Sequence, residues 1–119
     1  MAFQHFSEYY VWQKAMDLVD EVYKLTRYLP PDEKYVLSSQ LRRAAISIPS
    51  NIAEGSGRQT DRDLRNFLYI ARGSTYEVET QIRICVRQRL ITKEQAEPIL
   101  QKCGEIAKML YFFAEKLKT

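Results

Sequence analysis

Apolar residues recur at three- and four-residue spacing along most of the chain, and three breaks divide the pattern into four amphipathic segments. The first, over residues 7–28, places Val11, Trp12, Ala15, Leu18, Val19, Val22 and Leu25 on one face, with Leu29 just beyond and Ser7 as an N-cap. Pro30-Pro31 ends it, because two successive prolines cannot continue a helix. Asp32 is placed to cap a second helix over residues 33–54, with Leu41, Ala44, Ile48 and Ile52 on its apolar face. Pro49 interrupts that helix, since it lacks an N–H and crowds the carbonyl of Ala45. Gly55-Ser56-Gly57 reads as its end, because glycine accepts the left-handed C-terminal conformation without penalty. Thr60 with Asp63 resembles a capping box and opens a third helix to residue 88, carrying Leu64, Phe67, Leu68, Ala71, Thr75, Val78, Ile82 and Cys85. Thr92 with Gln95 opens a fourth to residue 117, through Ile99, Leu100, Cys103, Ile106, Ala107, Leu110, Phe113 and Leu117, and Pro98 predicts a kink or a late start there.

No segment alternates with a two-residue period, which argues against a sheet. Four helices joined by short connections pack as antiparallel neighbours. The expected fold is therefore all-α, an up-down-up-down four-helix bundle forming one domain over residues 1–119.

Polar positions follow a helical spacing of their own. Gln40, Arg43, Ser47, Asn51 and Glu54 form a stripe beside the apolar face of the second helix, and Ser74, Glu77 and Gln81 form another on the third. Antiparallel packing brings Glu77 and Gln81 opposite Arg43, Ser47 or Asn51. Three uses stay open: a structural network that fixes register, an interface between subunits, or a ligand pocket. The small residues Ala44, Ala45, Ser47, Ser50 and Ala53 suit close helix approach in the first two. Tyr9, Tyr10, Trp12, Tyr23, Tyr28, Tyr111, Phe112 and Phe113 are too closely spaced on the outer helices for all to enter one core. Some must face solvent or another subunit, which points to a homo-oligomer, with base stacking on RNA as the alternative use of such rings.

Composition adds the charge pattern. The net charge of +3 is small, but residues 42–89 hold nine arginines and no lysine against five acids. Arginine presents a planar fork that suits carboxylates and phosphates. Arg42, Arg58, Arg62, Arg65 and Arg72 are accordingly candidates for nucleic-acid phosphates, with salt bridges within or between subunits as the alternative. The 45% hydrophobic and 28% charged content is that of a soluble protein. No apolar run approaches the ~20 residues that cross a bilayer, and the first residues do not read as a signal peptide. Cys85 and Cys103 then read as reduced thiols in a cytoplasmic protein.

Catalytic constellations are missing from the sequence. A di-iron bundle needs Glu-x-x-His pairs, whereas the one histidine is His5, ahead of the first helix. Both cysteines occupy apolar seam positions without a histidine as base. Gly55-Ser56-Gly57 follows no strand and lacks the Gly-Lys-Ser/Thr of a phosphate loop. The expectation is no enzyme, no metal and no cofactor.

Several stretches carry a family likeness: Val11-Trp12-Gln13-Lys14-Ala15, Tyr35-x-Leu37-x-x-Gln40-Leu41-Arg42-Arg43-Ala44-Ala45, Ser47-Ile48-Pro49-Ser50-Asn51-Ile52-Ala53-Glu54-Gly55, Phe67 through Ser74, and Glu77-x-Glu79-Thr80-Gln81. Through them the chain resembles the S23 family, bundle proteins encoded in intervening sequences of 23S ribosomal RNA genes and elsewhere in bacterial genomes. The resemblance implies a four-helix bundle assembled into a ring, with a homopentamer expected, and an association with RNA or the ribosome. A related branch resembles accessory proteins of diversity-generating retroelements, which implies RNA or DNA and a reverse transcriptase as partners. An oligomeric scaffold with no direct nucleic-acid binding is the other function that fits these residues.

Overall fold

The computed structural model describes residues 4–118, so the domain expected over residues 1–119 is described except for its first three residues and its last. Four α-helices carry the fold: α1 (Tyr10–Thr26), α2 (Ser39–Ser56), α3 (Asp61–Arg87) and α4 (Lys93–Lys116). Consecutive helices run antiparallel, and α4 closes the bundle against α1, giving a rod of 49 × 21 × 20 Å. No strand occurs among the described residues. One end of the rod carries the α1–α2 and α3–α4 connections. The other carries the α2–α3 connection, the start of α1 and the end of α4.

The core follows from the apolar spacing. Leu18 and Val22 of α1, Leu41, Ile48 and Ile52 of α2, Leu68, Val78 and Ile82 of α3, and Ile106 and Leu110 of α4 are fully buried. A buried aliphatic side chain of this size contributes about 1.5–3 kcal/mol over an exposed one, so these positions dominate stability. Between α1 and α4, Lys14 hydrogen-bonds and ion-pairs with Glu105. That bond holds the Lys14 amine above its ordinary range and the Glu105 carboxyl below its own.

Several boundaries differ from the sequence expectation. Ser7 does not cap α1: it lies in a 3₁₀ turn, Phe6–Glu8, and its N–H donates to His5 Nδ1 at 3.2 Å. Phe6 meets Trp12 edge-on at 5.4 Å, which seats this turn on the first turn of α1. The second helix is wound three ways. Pro31–Glu33 is a 3₁₀ turn containing Asp32, Lys34–Ser38 is a π-helix, and regular α-helix begins only at Ser39. Pro31 stands at the first position of the 3₁₀ turn, where a helix leaves the N–H unbonded in any case, so the prolines set where the winding starts without costing it a bond. α2 then continues through Pro49, which is buried, and runs to Ser56. At α4 the Thr92–Gln95 capping box is complete, and the helix starts at Lys93 ahead of Pro98 rather than late.

The end of α2 needs a different explanation from the one its glycines suggest. Gly55 lies inside the helix and Gly57 closes it at φ −84°, so neither uses the left-handed region. Gly55 is there because α3 comes too close for a side chain: a Cβ on it would lie 2.6 Å from Phe67 Cβ. The left-handed cap appears instead at Arg89, φ 60°, after α3. There Leu90 N–H donates to the Cys85 carbonyl at 2.9 Å and Arg89 N–H to that of Val86 at 3.0 Å.

Candidate assembly and nucleic-acid surfaces

The polar stripes of α2 and α3 meet along the seam between these helices, but only part of the expected set joins. Asn51 Nδ2 donates to the Ser47 carbonyl (2.7 Å) and to Ser47 Oγ (2.9 Å), and Ser47 Oγ lies 2.8 Å from Ser74 Oγ. Ser47 Oγ thus accepts from Asn51 and shares a hydrogen bond across the seam with the hydroxyl of Ser74, which is buried. Two helical turns away, Gln81 Nε2 reaches Gln40 Oε1 at a long 3.5 Å, while the buried Gln81 Oε1 has no partner. Glu54 does not join this seam: Arg58, one turn on, holds it at 3.2 Å. Arg43 and Glu77 are exposed and make no hydrogen bond or ion pair with the described residues. The stripe thus divides into a hydrogen-bonded group of Ser47, Asn51 and Ser74, a long Gln40–Gln81 contact, and the outer residues Arg43 and Glu77.

The five candidate arginines fall at separate places. Arg42, near the start of α2, donates from Nε to Thr26 Oγ1 at 2.9 Å and stacks on Tyr23 at 4.5 Å. Arg58, at the α2–α3 connection, is paired with Glu54 and lies over Phe67 at 4.9 Å. Arg65 Nη1 donates to the Leu117 carbonyl at 3.3 Å, tying α3 to the end of α4. Arg72 Nη2 donates to the Tyr76 hydroxyl at 2.9 Å, and its guanidinium sits 5.2 Å from the rings of both Tyr76 and Tyr111, with Nε buried and unpartnered. Arg62 alone of the five is exposed without a partner among the described residues. Four of the five therefore already serve the bundle.

A cationic surface not singled out in the sequence lies at the end with two connections. Arg27 closes α1, Lys34 lies in the π-helix, Arg87 ends α3, Arg89 follows it and Lys93 starts α4. All five are exposed, and none is ion-paired with a described carboxylate. Asp32, Glu33, Glu94 and Glu97 share this end, Glu97 in one groove with Arg87 and Lys93, so cations exceed acids there only slightly. Tyr28 (75% exposed) and Tyr35 (84%) project from the same connection, and Lys34 Nζ lies 5.5 Å from the Tyr35 ring. Charges scattered over residues 27–93 become neighbours only through the helix pairing, which explains why no local motif marked them.

The aromatic residues gather mainly at the opposite end, around α4. Tyr9 packs edge-on against Phe113 at 5.4 Å and joins the core margin, whereas Tyr10 (61%) and Phe112 (52%) stay exposed. Phe112 separates two grooves. One, about 550 Å³, lies between α1 and α4 beside Tyr9, Tyr10 and Phe113, and the other, about 370 Å³, lies between α3 and α4 beside Arg72, Tyr76 and Tyr111. Exposed rings of this density on one face are typical of the fully buried centre of a protein interface.

The two thiols lie in the core. Cys85 and Cys103 are free and buried, and burial raises both pKa values, that of Cys103 to about 12 with a contribution from Glu79 and Glu21. Thiols held protonated in this way are poor nucleophiles. No described helix is long and apolar enough to cross a membrane.

The chain matches the sequence pattern of the 23S rRNA-intervening sequence protein family over residues 7–112. It is similar to a crystal structure of a protein of unknown function from the S23 ribosomal protein family of Bacteroides thetaiotaomicron. The two are 31% identical, the match covers 92% of this chain and 99% of that one, and the TM-score is 0.81. No curated protein matches.

Proposed function

Because this chain belongs to the 23S rRNA-intervening sequence protein family, we propose that it acts without catalysis, as a homo-oligomeric accessory protein that associates with nucleic acid, RNA before DNA. The observation that carries this reading is the end of the bundle where Arg27, Lys34, Arg87, Arg89 and Lys93 stand without carboxylate partners beside exposed Tyr28 and Tyr35. Cations meet phosphates there, and tyrosine rings offer stacking faces to unpaired bases. In an oligomer that end repeats once per subunit, which multiplies a weak charge excess into a useful one. The aromatic grooves around Phe112 supply the contact between copies, and a ring of five is the assembly the family implies. A reverse transcriptase bound to the same assembly is the protein partner to seek if DNA is retained in preference to RNA.

Retention of labelled single-stranded RNA and of DNA, measured across a salt series, tests this. The reading expects RNA binding that weakens steeply as salt rises, and a loss of binding in a triple Arg27→Glu, Arg87→Glu, Arg89→Glu protein that keeps its helical content. Undiminished retention by the triple variant would overturn it.

A second reading has its own support. Arg42, Arg58, Arg65 and Arg72 are engaged within the chain, which fits an oligomeric scaffold that touches a protein partner and no nucleic acid. Absence of RNA and DNA retention at low salt by an intact oligomer would favour it.

A further inference from the structure

We propose that the cleft between the end of α1 and the start of α2 is a phosphate-binding site, with Arg42 as its fixed cation and Tyr35 as a stacking ring at its mouth. The proposal deepens the nucleic-acid reading and rests on it only for the source of the phosphate. The cleft has a volume of about 430 Å³, and its polar lining comes from Thr26, Lys34, Tyr35, Ser38, Ser39 and Arg42. Two cations line it and no carboxylate does. A surface cleft with such walls attracts anions.

Arg42 is set in advance of any ligand. Its Nε donates to Thr26 Oγ1 at 2.9 Å, and that hydroxyl in turn donates to the Tyr23 carbonyl at 2.9 Å. The guanidinium carbon lies over the Tyr23 ring, 4.5 Å from its centroid, which together with the Thr26 bond fixes its position. Thr26 is buried and its hydroxyl is fully used in this relay. The terminal nitrogens of Arg42 have no partner among the described residues, which leaves the two-pronged edge that suits phosphate oxygens.

Ser38 adds an unbonded hydroxyl to the cleft wall. Its residue is 7% exposed, it lines the cleft, and its hydroxyl makes no hydrogen bond with any described residue. That hydroxyl is free to meet an oxygen arriving in the cleft. Ser38 and Lys34 are the two ends of the π-helix, a winding that is rare and concentrated at functional sites. A carboxylate would occupy the Arg42 edge alone. A phosphate has enough oxygens to meet Arg42, Lys34 and the Ser38 hydroxyl together, and a base attached to it can lie on Tyr35, 84% exposed. The ligand class is thus a nucleotide phosphate, either within an RNA strand or on a free nucleotide.

The experiment measures binding of a fluorescent single-stranded RNA oligonucleotide, adenosine monophosphate and inorganic phosphate to the full chain and to Arg42→Gln, Arg42→Lys, Ser38→Ala and, at the far end of the rod, Lys118→Gln proteins, with circular dichroism as the folding control. The proposal expects RNA affinity to fall about tenfold in Arg42→Gln, the scale of one lost charge-assisted hydrogen-bond pair. It also expects a comparable fall in Arg42→Lys, a smaller one in Ser38→Ala and none in Lys118→Gln, with the monophosphate competing. If Arg42→Gln should fail to fold, the Ser38→Ala result decides alone. RNA binding that is equal in all folded variants overturns the site while leaving the proposed function standing. No RNA binding, with monophosphate binding that is lost in Arg42→Gln, upholds the site, makes a free nucleotide its ligand and overturns the nucleic-acid reading. Failure of all three probes to bind the unaltered chain overturns both.

Discussion

Gly55 of α2 and Phe67 of α3 approach so closely that a methyl group on residue 55 would sit 2.6 Å from Phe67 Cβ and 3.1 Å from Leu64 Cδ1. The contact lies next to the turn between these helices, where Phe67 cannot retreat without moving the start of α3. Gly55→Ala is therefore expected to destabilise the bundle by about 1–3 kcal/mol, as overpacking of a closed site does. Gly73, exposed on α3 with nothing within 4 Å of the point a Cβ would occupy, is the control. Gly73→Ala should stabilise by up to about 1 kcal/mol through helix propensity. Denaturant midpoints of the two variants must move in opposite directions; a shared direction would contradict the packing account.

The hydroxyl pair across the α2–α3 seam makes a second prediction. Ser74→Ala should cost about 1 kcal/mol, because it removes the partner of a Ser47 hydroxyl already oriented by Asn51. A double-mutant cycle of Ser47→Ala and Ser74→Ala should give a coupling energy of at least about 0.5 kcal/mol. Strict additivity would show that the pair does not set the register.

The Lys14–Glu105 pair couples α1 to α4 and predicts a pH dependence with a definite sign. The Glu105 pKa is lowered from the ordinary 4.5, so its contribution to stability is present above that value and is lost as pH falls through the folded value. The Lys14 pKa is raised above 10.5, so its contribution is present below that value and is lost as pH rises through the folded one. Between these limits Glu105→Gln should melt lower than the parent, and the difference should vanish in acid. The pair is partly exposed, so the effect is small and should shrink with added salt. A difference in melting temperature that persists unchanged into acid would remove the ion pair as its cause.

Cys103, with its pKa raised to about 12, and Cys85, also buried in the core, should resist alkylation in the native state. Iodoacetamide labelling at mildly alkaline pH, followed by mass spectrometry, should show both thiols unmodified until denaturant is added. Rapid labelling of either without unfolding would contradict their burial.

Much of the fold was legible because it depends on spacing. Ile48, Ile52, Val78, Ile82 and Leu110 repeat at helical intervals and are all buried, and Thr92 with Gln95 forms the capping box that the pattern announces. What the sequence concealed depends on neighbours in space. Gly55 reads locally as a helix terminator and is in fact a point of close helix approach. Arg89 ends α3 in the left-handed region where the pattern offers no glycine to mark it. Residues 33–38 share the apolar rhythm of α2 yet wind as the end of a 3₁₀ turn and a π-helix, which no local spacing marks. The candidate arginines show the same limit: their number is visible in sequence, but Thr26, Glu54, Leu117 and Tyr76 are the partners that engage four of them.

Assembly is the claim on which the functional account turns, since both the repeated basic end and the covering of Phe112 require it. Native mass spectrometry of the full chain, repeated with Phe112→Glu, tests it most directly. The account predicts an oligomer of the 14.0 kDa chain, about 70 kDa for a ring of five, that falls to monomer in the folded variant. A 14.0 kDa species for the unaltered chain at micromolar concentration would contradict it.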